Sequence, residues 1–497
     1  MLINKRFFLD IKKNSGIILH PTSLPGGVGI GDFGKNSYEF VDYLVETKTK
    51  VWQVLPLGPT DEIEYSPYSS PSSVLGNINL IDLTNLSSNE EIKIEDKIFN
   101  EKFVDYKKVY EYKKEYLRLY SRNIDINEKE YQFFLEDITI RKHLTFLTLD
   151  QKNKVPWNKW IDSEYNYTEQ LFEFVIKEFE SDFKFNLFTQ YEFYKQWFQL
   201  KEYANKSGIK ILGDIPIYVN HNSADVWSDK SLFDLDENGE MSYVSGAVPD
   251  DFTVDGQIWN TALYNWENNR LGNYQYWISK LQNNLDKFDY LRIDHFVGFF
   301  QYWAIPINEK ALNGEWRKGP WKNFFKEVSK NIPMSKLLAE DLGVILQETD
   351  QILKEYNIPG MKVLQQRIPS DVVNEEIHPH DWNQNIIAYT GTHDSPTIGQ
   401  WFEESNDIQM RSFDEYKQKL KYSYSEDIWN FISLVWESPA ILSVTTIQDV
   451  LNLGKSARFN VPGTKYDNWS WRLRNMQELD KTIDKLRELN KNNSRVN

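Results

Sequence analysis

Eight short runs of apolar, β-prone residues punctuate this 497-residue chain, at 16–20, 51–57, 210–217, 290–296, 336–343, 361–366, 385–394 and 442–450. Between them, apolar residues recur at the three- and four-residue spacing of helices, as in 37–47 and 346–356. Strand alternating with helix describes parallel βα units, and eight such units describe a closed barrel. The expected fold is therefore α/β, a (β/α)8 TIM barrel with large inserted subdomains in the βα loops. An open doubly wound sheet is the alternative.

The runs are unevenly spaced, and the long gaps exceed any ordinary βα loop. The whole chain, 1–497, reads as a single catalytic barrel. Residues 58–209 read as a subdomain inserted after the second strand, with amphipathic helices expected at 106–120 and 168–179. Residues 220–273, turn-rich and carrying several tryptophans, read as an insertion after the third strand. The tail, 480–497, reads as a helix with a frayed, Asn- and Lys-rich end.

Charge narrows the partners. Lys and Arg number 57 against 73 Asp and Glu, a net charge of −16, which disfavours nucleic acid and anionic membranes because both need a basic face. No Walker-type Gly-rich loop is present, so a phosphorylated substrate is also disfavoured. The chain has no cysteine, which removes disulfides, thiolate metal sites and a Cys nucleophile together. The apolar run Phe7-Phe8-Leu9 is too short for a signal-peptide core, and no later run could span a bilayer; a cytoplasmic protein is expected. With 17 Trp and 28 Tyr the chain is rich in rings. Most belong in the core, but flat aromatic platforms also suit the C–H faces of sugars.

Three of the expected strands end in acidic motifs: Arg292-Ile293-Asp294-His295, Ala339-Glu340-Asp341-Leu342-Gly343 and Thr390-Gly391-Thr392-His393-Asp394. A single strand-end carboxylate often only caps the next helix. Three in order, on the fourth, fifth and seventh strands, are the equipment of a sugar-cleaving barrel enzyme. Retaining cleavage needs a carboxylate nucleophile and a protonated carboxyl about 5–5.5 Å apart. Asp294 is the expected nucleophile: Arg292, two residues earlier on a strand, shares its face and favours its ionised form. Glu340 is the expected general acid/base, desolvated by Ala339 and Leu342. Asp394 is the third carboxylate, placed to grip sugar hydroxyls, and His295 and His393 are expected to bond hydroxyls rather than act as bases. This mechanism requires no cofactor and no metal.

Other signals are weaker. The segment 234–239 (DLDENG) begins like a Ca²⁺ loop, but Ser245 stands where that loop needs its bidentate Glu, so a tight turn is expected. His378-Pro379-His380 reads as a surface loop, and the Lys/Tyr-rich helix at 106–120 as a solvated subdomain helix. Ser23 and Ser66 lack the nucleophile-elbow context of a serine hydrolase.

From about Ser15 to Arg472 the chain resembles the 4-α-glucanotransferases, the bacterial amylomaltase and plant disproportionating enzyme family of the α-amylase clan. The matching blocks are GIILHPTSLPG at 16–26, LPLGPT at 55–60, SPY at 66–68, GDIPIYV at 213–219, DDF at 250–252, GQIW at 256–259, NVPGT at 460–464 and NWSWR at 468–472. The resemblance implies that Asp294, Glu340 and Asp394 are nucleophile, acid/base and stabiliser. It implies that Asp214, Arg292, His295 and His393 contact the donor sugar, that Tyr68 lines the cleft, and that Asn460 binds substrate. Gln257 and Trp259 follow a loop, 246–255, that in the family overhangs the cleft as a lid. The implied partners are malto-oligosaccharides, starch- or glycogen-derived glucans, and glucose as acceptor. The chain departs from the family pattern in the lid, with Val248-Pro249-Asp250 where two prolines are usual. It also has Asn260-Thr261-Ala262 in place of Gly-Asn-Pro, and Ser395-Pro396 where Asn-Asp is common. The rival readings are an α-1,4-glucan hydrolase on the same scaffold and a non-catalytic glucan-binding protein.

Overall fold

The computed structural model describes residues 13–26, 28–86, 101–249, 255–343, 346–370 and 378–496. Eight parallel strands make its central sheet. They are β1 (Asn14–Ile18), β2 (Val51–Gln53), β3 (Lys210–Pro216), β4 (Tyr290–Asp294), β5 (Leu337–Ala339), β6 (Gly360–Val363), β7 (Ile386–Tyr389) and β8 (Leu442–Thr446). Their lateral order is β5-β4-β3-β2-β1-β8-β7-β6. The two ends meet: Ala339 N–H donates to the Pro359 carbonyl at 3.0 Å, and Met361 N–H donates to Asp341 Oδ1 at 2.7 Å. The result is a (β/α)8 barrel.

Both faces of the barrel wall are buried, which is why its strands read as continuous apolar runs instead of alternating ones. Ile18, Val51, Leu212, Leu338, Ile387 and Val444 fill the interior. Their neighbours Ile17, Trp52, Ile211, Leu337 and Ala388 face the surrounding helices. Among those helices, Lys35–Glu46 precedes β2, Glu180–Lys206 precedes β3, Gln275–Lys287 precedes β4 and Asp427–Glu437 precedes β8. Within the described residues no helix is long and apolar enough to cross a membrane.

Residues 101–179 add four helices, Tyr106–Ser121, Lys129–Phe134, Ile138–Asn153 and Glu169–Glu178. The first is amphipathic, as expected: Lys107, Lys108, Glu111 and Glu115 are exposed, while Tyr106, Val109, Lys113 and Leu117 are buried. Lys113, fully enclosed, donates to the carbonyls of Asn79 and Ile81, both at 2.7 Å, and pairs with Asp32 at 3.1 Å. A lysine that reads as surface charge thus serves as a buried cross-brace. A second, antiparallel sheet follows the order Val219–Asn220, Gln257–Ala262, Tyr243–Ala247, Gln301–Pro306, Glu315–Lys318. It therefore joins the segment after β3 to the segment after β4. The 234–239 stretch is the expected turn, with Gly239 at φ 73° and Asp236 N–H bonded to the Glu240 carbonyl at 2.9 Å.

Two expectations fail at the barrel's far side. His378 is buried, not on a surface loop, and His380 meets Glu437 at 3.0 Å. The tail does form a helix, Ile483–Asn492, but it is not frayed beyond it. Arg495 is fully buried and donates to the carbonyls of Trp436, Asn14, Ala440 and Ser438 at 2.8–3.0 Å. Its planar fork satisfies carbonyls at the starts of β1 and β8, which hydropathy alone could not reveal. Substituting Arg495→Met leaves these carbonyls unpaired and is expected to lower stability by roughly 3 kcal/mol. Urea unfolding followed by tryptophan fluorescence reads this as a lower midpoint, and an unchanged midpoint would rule out the staple.

Candidate active site

The C-terminal ends of the strands gather the functional side chains. On β4, Arg292 and Asp294 share a face, and the β3–β4 register sets Asp214 opposite Arg292. Arg292 Nη1 meets Asp214 Oδ2 at 2.6 Å, and its Nη2 meets Asp294 Oδ1 at 2.8 Å. Arg292 and Asp214 are buried, whereas the Asp294 side chain is 31% exposed. The buried pair thus presents the third member to the opening.

From Asp214 the chain of contacts runs to the seventh strand. Tyr68 donates its hydroxyl to Asp214 Oδ2 at 2.9 Å and lies 2.9 Å from His393 Nε2. The same His393 nitrogen lies 3.2 Å from Asp394 Oδ2, whose other oxygen accepts from Asn460 Nδ2 at 2.6 Å. The Tyr68 and His393 rings stack at 5.3 Å between centroids. On the other side, the main chain turns sharply after Asp294: His295 takes a left-handed conformation at φ 51°. That turn aims its N–H at Glu340 Oε2, 2.8 Å away, while Leu342 N–H reaches Glu340 Oε1 at 3.0 Å. Trp259 packs edge-on against the His295 ring at 4.8 Å and donates to Gln257 Oε1 at 3.1 Å. All eleven residues singled out in the sequence fall on this one connected path. Of the lid at 246–255, residues 250–254 lie outside the described residues.

Electrostatics separates the three carboxylates. Burial and the Asp294 charge push the Glu340 carboxyl up to about 7, against the pull of Arg292 and the two backbone N–H groups. Burial would also raise Asp394, but His393, Asn460 and Arg292 carry it down to about 2. Burial raises the Asp214 carboxyl, opposed by the Arg292 guanidinium. Burial lowers the His295 imidazole to about 4, which leaves it neutral near pH 7. For His393 burial acts downward, yet the Asp394 charge and hydrogen bond outweigh it and the imidazole is raised. The site therefore holds an ionised carboxylate beside an imidazole whose protonated form that charge favours, and a second carboxyl able to keep its proton near neutral pH. Asp214 Oδ1 and His393 Nδ1 are buried and have no hydrogen-bond partner among the described residues. They are an acceptor and a ring nitrogen left over for a ligand.

Sequence reasoning passed over several neighbours. Arg458 donates to the carbonyls of Asp394 and Asn460, at 3.0 and 2.9 Å, and so fixes the loop that aims Asn460. Trp469 lies 5.9 Å from the Tyr68 ring and 6.1 Å from that of His393. Tyr218, four residues past Asp214, adds a ring 6.2 Å from Trp259 and 6.5 Å from His295. His20, at the end of β1, lines a void of about 20 Å³ with His393 and Arg458. Burial holds it at about 3, hence neutral. Its place at a strand end is the signal that could have found it.

A family model described as 4-alpha-glucanotransferase matches residues 19–478. The 4-alpha-glucanotransferase of Aquifex aeolicus (strain VF5) is 38% identical over 471 residues, covering 93% of this chain and 95% of that protein. That of Clostridium butyricum is 38% identical over 485 residues, covering 95% and 98%. Among solved structures, an amylomaltase from Streptococcus agalactiae in complex with acarbose matches with a TM-score of 0.90 at 33% identity, over 98% of this chain and 100% of that one. The barrel, the strand-end carboxylates and a match along nearly the whole length lead to one conclusion: the chain belongs to the 4-alpha-glucanotransferase family.

Proposed function

We propose that this enzyme moves segments of α-1,4-glucan from a donor malto-oligosaccharide to the 4-hydroxyl of an acceptor glucan or glucose, with Asp294 and Glu340 as the reacting pair. The observation that carries the assignment is the contrast between two carboxylates on adjacent strands. Asp294 is held against a buried guanidinium, and Glu340 is pushed up to about 7. A carboxylate bonded to a guanidinium suits nucleophilic attack, and a neighbouring carboxyl raised toward neutral pH suits proton donation.

In the first step Asp294 attacks C1 of the donor sugar at the cleaved bond. Glu340 gives its proton to the departing O4, and a β-linked glycosyl-enzyme forms. Glu340, now a carboxylate, takes the proton from the 4-hydroxyl of the acceptor, which attacks C1 and frees Asp294. Two inversions give net retention. Asp394, Asp214, His295 and His393 bind the hydroxyls of the donor sugar. Tyr68 and Trp259 line the cleft, while Gln257 and Asn460 complete the polar contacts. His295, neutral near pH 7, suits a hydrogen-bonding role better than that of a base. The preference for a sugar acceptor over water rests on family membership and on the ring cluster of Trp259 and Tyr218 beside His295, which limits water near the reacting pair. Donors derived from starch or glycogen belong to the same reading. So does the division into one catalytic barrel with insertions at 58–209 and 220–273, the second carrying the 246–255 lid.

Incubation with maltotriose alone tests the reaction. Transfer yields glucose together with a ladder of longer chains; glucose and maltose alone would identify a hydrolase. Asp294→Asn is expected to cut kcat by roughly 10⁴-fold or more while glucan binding persists. Loss of binding with no change in turnover per bound substrate would reject the nucleophile. Glu340→Gln should cost about 10²–10⁴-fold in kcat. The acid form of Glu340 exists below its raised value and disappears above it. The kcat/KM profile is therefore expected to fall as pH rises through about 7. A profile flat from pH 6 to 9 would separate Glu340 from the acid role.

A further inference from the structure

We propose that the protein carries a second site for a short neutral saccharide, outside the barrel and away from the strand-end carboxylates. It is a cleft of about 350 Å³ between the helices Gln275–Lys287 and Ile138–Asn153, with the helix Ala224–Ser228 at its side. That volume falls within the range of small-ligand pockets, about 300–1,000 Å³.

The lining selects the ligand. Its four fixed charges are already matched. Lys142 reaches both oxygens of Asp229, at 3.2 and 3.1 Å. Lys280 donates to the carbonyls of Pro216 and Ile217, at 3.1 and 3.4 Å. Asp225 accepts from the Ser73 N–H and from the Tyr276 hydroxyl, both at 2.9 Å, and also from the Ser73 hydroxyl. An anion would face two carboxylates, and a cation two ammonium groups. Either would meet like charge as well as opposite, so neither is favoured. What the cleft leaves over is neutral. Asn269 lines the cleft and is 1% exposed; it spends its amide N–H groups on the carbonyls of Leu232 and Asn265, while its buried Oδ1 has no partner among the described residues. A buried acceptor of this kind calls for a hydroxyl donor. The Tyr276 ring, Leu232 and the exposed Ile138 supply apolar surface for C–H faces. Thr139, Ser279 and Asn283 supply hydroxyl and amide groups around the rim. Hydroxyls on a ring with an apolar face are the chemistry of a sugar.

The cleft is linked to the strand-end site by hydrogen bonds. Lys280 holds the carbonyls of Pro216 and Ile217, two and three residues past Asp214, and Asp225 holds Ser73, on the loop that carries Tyr68. Tyr68 and Asp214 meet each other at 2.9 Å. A ligand that stiffens the cleft therefore bears on both.

The site itself is inferred from the cleft lining; only the choice of maltose as probe rests on the glucan reading. Equilibrium dialysis of labelled maltose against Asp294→Asn protein gives a binding stoichiometry without turnover. Adding Ser279→Trp or, separately, Asn283→Trp fills the cleft and is expected to remove one bound maltose per chain. The melting temperature of each double variant should match that of Asp294→Asn. An unchanged stoichiometry in either well-folded double variant overturns the proposal. Should both tryptophan variants melt early, a maltose-soaked crystal of the Asp294→Asn protein decides: a sugar against Asn269 Oδ1 supports the site, and an empty cleft overturns it. The transfer reading fails separately, through the absence of a maltotriose ladder from the unmodified protein, which carries no tryptophan in the cleft.

Discussion

The guanidinium of Arg292 is the constraint on which the site depends. It is buried between two carboxylates, at 2.6 Å from Asp214 and 2.8 Å from Asp294. Removing one partner of such a buried pair costs about 3–5 kcal/mol, because the other charge stays enclosed and unpaired. The arrangement is therefore held rigid by its own electrostatics. Asp214 fixes the Tyr68 hydroxyl, Tyr68 fixes His393, and His393 with Asn460 fixes Asp394. Each contact settles the geometry of the next, so residues on β3, β4, the β7 end and two distant loops arrive at one opening with little freedom left. That is the preorganisation on which transition-state stabilisation relies.

The same guanidinium distinguishes the surroundings of Asp294 and Glu340, on which their proposed roles rest. It touches Asp294 directly and influences Glu340 only from a distance, where it fails to offset burial and the Asp294 charge. Glu340 also accepts two backbone N–H bonds, from His295 and Leu342, both of which stabilise its ionised form. Its value near 7 is thus a balance. Protonated, the side chain can donate to a leaving oxygen; ionised, it keeps two donors that hold it in position for the return step. The left-handed backbone at His295 aligns one of them, an unusual conformation for a non-glycine residue and one that the surrounding packing must hold.

Much of this was legible in the chain. The eight strands could be read because a barrel wall is buried on both sides, so each strand leaves a largely apolar, non-alternating signature. Past β5 and β7, and at the end of β4, that stretch runs into an acidic residue. The three catalytic candidates could be read for the same reason. What the chain hides is pairing across distance. Nothing local to Arg292 announces that its closest partner is Asp214, because that contact exists only once β3 and β4 are in register. Lys113 and Arg495 read as surface charge, since hydropathy does not report the backbone carbonyls that enclose them. The second sheet joins segments after two different barrel strands. Its strands are short and partly exposed, so each alone lacks the pattern that would have marked it.

One consequence of the strand order bears on where the acid sits. The ladder of the barrel runs unbroken from β5 round to β6, and the ring is completed between these two. At that seam the links among the described residues are the Ala339–Pro359 main-chain bond and the Asp341 carboxylate. Gly360 stands there because a Cβ would collide with the Asp341 side chain. Glu340 lies between Ala339 and Asp341, so the residue proposed to give and take the proton sits beside the most sparsely bonded point of the wall. Its backbone is nevertheless held from the β4 side, by the bonds of Glu340 N–H to the Ile293 carbonyl and of Phe296 N–H to the Glu340 carbonyl. Those two bonds join it to the strand that carries Asp294. The proposed acid/base is thus tied through its backbone to the strand of the proposed nucleophile. The separation of those two carboxyl groups is what a retaining reaction depends on.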